Sequence, residues 1–151
     1  MNASIPRFLC AVAMIAVILP TPADANAPAG RYTTSGGTVY DTKTKLTWQQ
    51  TISSNSYAWA DAKTYCAGVG SSLGGTGWRL PTLKELQSLV DYSQTISPRI
   101  DSTAFPGAPS LWAWSASPLA GSSSGAWDVY FGNGQTGFCG VSGTFNVRCV
   151  R

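Results

Sequence analysis

The chain has 151 residues, a net charge of +3 and no histidine, and only 11% of its residues are charged. Without histidine there is no Ser–His–Asp or Cys–His nucleophile and no His-containing metal site. The basic excess is not gathered into a Lys/Arg run, which argues against a nucleic-acid partner and leaves room only for weak attraction to anionic polymers.

Residues 1–25 read as a secretory signal. Arg7 supplies the positive start, residues 8–19 form an apolar run too short to span a bilayer, and Ala23-Asp24-Ala25 is an A-x-A cleavage site, with Ala25-Asn26-Ala27 as a second. Cys10 lies inside the apolar run rather than after it, so it does not read as a lipoprotein cysteine. The expectation is an exported protein, secreted or periplasmic, with no membrane insertion. Cleavage leaves Cys66, Cys139 and Cys149, hence one bridge and one leftover thiol; spacing leaves all three pairings open.

Residues 26–37, rich in Ala, Pro, Gly, Thr and Ser, read as a flexible lead-in to a domain over 38–151. Residues 38–41 and 45–49 look like two short strands joined by a turn at Thr42, Lys43 and Thr44. An Asn55/Ser56 cap predicts a helix over about 57–67, whose buried stripe is Ala58, Ala62, Tyr65, Cys66 and Val69. Gly68 and Gly70 stop it, and residues 68–77 read as a loop. Pro81 then biases Leu80 to an extended conformation. Thr82 and Glu85 form a capping box, and Leu83, Leu86, Leu89 and Val90 define the face of a helix over about 83–91. Residues 78–86 thus join turn to helix.

Beyond that helix the pattern turns to strand and loop. Residues 98–107 read as an irregular connection. Residues 111–115 read as a strand with Trp112 and Trp114 on one face, residues 117–125 as a loop, and residues 127–131 as a half-buried strand. Asn133-Gly134 favours a two-residue type I′ hairpin leading into 135–139. A last strand is expected over 144–150, with Phe145, Val147 and Cys149 facing one way.

The available chemistry is that of recognition. Asp41, Asp91, Asp101 and Asp128 suit caps, turns and ion pairs better than an acid/base pair. No D-x-D-x-D-G calcium loop is present, so no metal or cofactor is expected and no catalytic residue is assigned. Six tryptophans are many for this length, and an indole can stack on the C–H face of a sugar while keeping its N–H wet. Trp59 stands out because it lies off the helix stripe; Trp112 and Tyr130 follow, near loops or opposite Val129. Arg99, Lys43 and Lys45 offer anion contacts.

The order of these pieces resembles a known family. Val39-Tyr40-Asp41 with Leu46-Thr47-Trp48, Trp78-Arg79-Leu80-Pro81-Thr82 with Glu85-Leu86, and Ile100-Asp101 with Phe105-Pro106 carry the first part of the likeness. Trp114-Ser115, Trp127-Asp128-Val129-Tyr130-Phe131 and Asn146-Val147-Arg148-Cys149-Val150-Arg151 complete it. Together they resemble the C-terminal domain of bacterial collagen-like adhesins, the Lcl C-terminal domain family. The W-R-L-P-T–helix element is also similar to one in the formylglycine-generating enzymes.

The resemblance implies an α+β, C-type-lectin-like fold: two helices beside a twisted, mostly antiparallel sheet with long loops. It also implies a Cys66–Cys149 bridge and leaves Cys139 unassigned. It implies a non-catalytic adhesin-like module for polysaccharide or surface glycan, sulfated or acidic polymers among them. A protein-interaction or structural module of the envelope is the alternative. An oxidase of the formylglycine-generating type is a second alternative, disfavoured because the surroundings of Cys139 and Cys149 do not match its thiol pair. The E-P-N, Q-P-D and W-N-D calcium triplets of C-type lectins are absent, so calcium-dependent sugar binding does not carry over.

Overall fold

Two three-stranded antiparallel sheets and three short helices make up an α+β fold, described by a computed structural model over residues 30–151. The expected signal segment and the start of the lead-in lie outside the described residues. The first sheet has the order β1 (Tyr32–Ser35), β2 (Thr38–Asp41) and β3 (Thr47–Gln49). The helices α1 (Trp59–Gly68), α2 (Gly70–Leu73) and α3 (Leu83–Gln87) follow. The second sheet is β4 (Trp112–Pro118), β5 (Gly125–Tyr130) and β6 (Gln135–Gly140), paired in that order.

Strand β1 falls in the expected lead-in, where regular structure begins at Tyr32. Gly36 and Gly37 both take positive φ, 54° and 76°, and join Ser35 to Thr38 as a two-residue hairpin. That backbone matches the twist of the flanking strands, which is why glycine is favoured there. The 133–134 turn departs from expectation in the opposite sense. Tyr130 pairs with Gln135, so four residues form the loop and Asn133 does not take positive φ. The cause is Phe131, which is buried and whose N–H donates to the Leu111 carbonyl at 3.0 Å while its carbonyl accepts from the Arg99 N–H at 2.7 Å. The core takes that residue out of the hairpin ladder.

Helix α1 starts at Trp59, with no side-chain cap at Ala58. The expected Asn55/Ser56 cap fails because Tyr57 exchanges both backbone hydrogen bonds with Phe145, at 2.8 and 3.1 Å, and so stays extended. Helix α3 begins at its capping box as expected but ends at Gln87. Leu89 and Val90 continue with i→i−3 bonds to Leu86 and Gln87, a tightened last turn that still buries Leu89.

The expected final strand is a threaded segment instead. Along residues 145–151, backbone groups bond alternately to Tyr57, Ser53, Gln49 and Thr47 on one side and to Trp112, Trp114 and Arg79 on the other. Only isolated bridges result, because no neighbour runs alongside for long. The segment ties the two sheets together, and the Cys66–Cys149 disulfide fastens it to α1 across 83 residues of chain. Closing a loop of that length stabilises by about 4–5 kcal/mol in the chain-entropy account. Cys139 is left as a free thiol.

Two clusters form the core on opposite faces of β4–β6. Val39, Trp48, Leu86, Phe105, Val129 and Val150 belong to the first. Cys66, Trp78, Leu80, Trp114, Ala126 and Val147 belong to the second, beneath α1. Arg148 is buried among them, its guanidinium donating to the Gln49 and Gln50 carbonyls and lying 4.6 Å from the Phe105 ring centre. Burial pushes its pKa down to about 9.

Candidate functional site

A groove of about 520 Å³ opens where α1 meets α2. Tyr57 and Tyr65 form an aromatic wall, their rings stacked with centres 4.9 Å apart and planes 29° from parallel. Both rings are half-buried and held from behind. The Tyr57 backbone is fixed by Phe145, and its carbonyl also accepts from the Trp114 indole N–H at 2.8 Å. The Tyr65 hydroxyl accepts from Gln49 Nε2 at 2.8 Å, and Gln49 Oε1 accepts in turn from the Cys149 N–H at 3.2 Å. The wall is thus positioned by the threaded segment before any ligand arrives, a favourable state for binding.

The remaining lining combines apolar and polar groups. Gly68 and the buried Val69 contribute apolar surface. Asp61 sits in the first turn of α1, where the helix N-terminus favours a carboxylate. Thr64, Ser71 and Ser72 bring hydroxyls, the two serines from α2. Aromatic rings beside a few convergent polar groups are a common composition for a small-molecule site. Among the described residues, no group of three or more His, Cys, Asp or Glu side chains is placed to hold a metal ion.

Residues 37–151 match the family model described as the Lcl C-terminal domain. The chain belongs to the Lcl C-terminal domain family. The family is one of adhesin-like or surface-associated domains. No curated protein matches the chain.

In this Lcl C-terminal domain the six residues singled out from sequence lie outside the groove. Trp59 opens α1 half-buried; its indole N–H donates to the Ser115 carbonyl at 2.7 Å, and Lys63 Nζ lies 3.1 Å from its ring centre. Trp112 and Tyr130 face each other across β4 and β5, stacked at 4.9 Å, with Phe145 6.1 Å beyond Trp112. Arg99 is half-buried and donates to the Gln94 carbonyl within its own loop. Lys43 and Lys45 are exposed in the β2–β3 turn, where Asp41 Oδ1 accepts from the Lys43 N–H at 2.9 Å. Lys45 takes φ 63°, unusual for a residue with a Cβ. The structure therefore brings Trp112 and Tyr130 together, leaves Lys43 and Lys45 exposed in one turn, and joins none of these four to the groove.

The groove residues carry a signal that sequence reasoning missed. Asp61, Thr64 and Gly68 recur at helical spacing beside the buried stripe of α1, so they share a flank, and Tyr57 joins them from the extended residues just before the helix. Ser71 and Ser72 were hidden because residues 68–77 read as a loop, whereas Gly70–Leu73 closes a helical turn.

Proposed function

We propose that this chain is an exported, non-catalytic binding module that recognises carbohydrate in adhesion or surface recognition, with its elements in a C-type-lectin-like arrangement. The observation that carries the reading is the stacked Tyr57–Tyr65 wall beside the Asp61 and Thr64 side chains in one groove. Aromatic faces suit the C–H side of a sugar ring, and adjacent oxygens suit its hydroxyls. Family membership supports a role at a surface. The α1-to-terminal-segment bridge and the helices beside antiparallel strands support the lectin-like arrangement.

The test is a glycan array probed with purified wild-type protein and with Tyr57→Ala, whose integrity is checked by thermal melting. The expected outcome is saturable binding that weakens at least about ten-fold in the variant, the scale of one well-packed contact residue. A blank array, or binding indifferent to the loss of Tyr57, defeats this reading of the groove.

A further inference from the structure

We infer that the groove selects glycans that donate hydrogen bonds and carry no anionic groups, with a free sugar amine preferred; this rests on the carbohydrate reading above. A hydroxyl has a single proton to donate, and the three aliphatic hydroxyls of the groove direct theirs inward. Thr64 Oγ1 donates to the Ala60 carbonyl at 3.3 Å, Ser71 Oγ to Gly68 at 3.0 Å and Ser72 Oγ to Val69 at 3.0 Å. These three leave a ligand only their lone pairs, while the Tyr57 and Tyr65 phenols each keep one proton to donate. Asp61 adds a carboxylate, which only accepts when ionised, and no Lys or Arg side chain lines the groove.

The helical side of the rim, from Asp61 to Ser72, is therefore rich in acceptors and carries the Asp61 charge. A sulfate or uronate brings more negative charge, so it meets repulsion from Asp61 with no Lys or Arg in the lining to offset it. A sugar hydroxyl donates into the rim. A protonated amine offers three donors and the charge opposite to Asp61. This groove thus favours a ligand class different from the sulfated or acidic polymers implied by the family resemblance. The exposed lysines that suit such polymers, Lys43 and Lys45, lie in the β2–β3 turn outside it.

The experiment uses chitin-derived oligosaccharides of one length in three forms, free-amine, N-acetylated and N-sulfated, titrated in mildly acidic, low-salt buffer. The free-amine form is expected to bind about two- to five-fold tighter than the N-acetylated one, the strength of a solvent-exposed ion pair. The N-sulfated form is expected to bind weakest. Asp61→Asn collapses the difference between free-amine and N-acetylated forms, and Ser71→Lys, at an exposed position, raises affinity for the N-sulfated form. If the N-sulfated form binds wild type tightest, or the amine preference survives Asp61→Asn, the inference is overturned while the carbohydrate reading stands. If none of the three binds, both fall together.

Discussion

The junction at residues 78–86 and the face of β5 around Asp128 each hold a shielded carboxylate, and they treat it in opposite ways. At the junction, Glu85 accepts from Arg79 Nη1 and Nη2 at 2.8 and 2.7 Å and from the Thr82 N–H at 2.8 Å. Arg79 first, with help from the Thr82 backbone, holds the Glu85 pKa down to about 2 against the effect of burial. On β5, Asp128 is 2% exposed and its Oδ1 has no hydrogen-bond partner. Burial pushes its pKa up to about 6, and the Gly137 N–H opposes only part of that rise. Both are shielded from water, Asp128 more than Glu85, and the supply of donors decides the sign. The junction is built to hold a charge, whereas β5 tolerates one.

The largest test of this contrast is the pH dependence of stability. Asp128 has a higher pKa folded, about 6, than its ordinary value of 3.8. The folded state then binds the proton more tightly, and stability falls as pH rises from about 4 through about 6. The full loss is about 2–3 kcal/mol, since each pKa unit is worth about 1.4 kcal/mol. Urea titrations of wild type across that window should show the decline, and Asp128→Asn should flatten it. An equal decline in both proteins would mean that Asp128 titrates normally.

The junction gives the opposite slope at lower pH. Glu85 goes from an ordinary 4.5 to about 2 on folding, so its stabilisation is complete above about pH 4.5 and is lost as pH falls toward about 2. Because the Arg79 side chain is 46% exposed, solvent screening reduces the effect, and Arg79→Met should cost about 1–2 kcal/mol at neutral pH. The same variant should lose acid sensitivity below about pH 4.5, measurable by the same titrations. Thr82→Ala removes the side-chain half of the capping box, whose Oγ1 accepts from the Glu85 N–H at 3.3 Å. The cost should be about 1 kcal/mol. It should leave the Arg79–Glu85 pair and its acid slope in place.

The same distinction explains what could be read from the sequence. The capping box, Pro81 and the apolar stripe of α1 are local patterns with near neighbours, and the structure contains them. Gly36-Gly37 was equally legible as a two-residue hairpin, but the small, polar composition around it masked strand β1. The end of the chain was legible as extended, since Phe145, Val147 and Cys149 do face one cluster, but not as a threaded segment, because its hydrogen bonds go to residues spread from Thr47 to Trp114. The groove inherits that illegibility. Its aromatic wall depends on Phe145 and Cys149, far along the chain, and two of its hydroxyls depend on the turn α2. Tryptophan count drew attention to Trp59 and Trp112, which mostly brace the packing, while a tyrosine pair lines the groove.

Asp61 is the third carboxylate and sharpens the contrast by its small effect on the fold. It is exposed on α1, with no salt bridge among the described residues. Its contribution to the fold is confined to the favourable field at the helix N-terminus, so Asp61→Asn should change unfolding free energy by no more than about 0.5 kcal/mol. Thermal melts of wild type and variant at neutral pH should nearly superimpose. A carboxylate that is neither fastened like Glu85 nor enclosed like Asp128 keeps its hydrogen-bonding capacity for something outside the chain. A large loss of stability in Asp61→Asn would show that this capacity is already used within the fold, and would remove Asp61 from the groove's recognition chemistry.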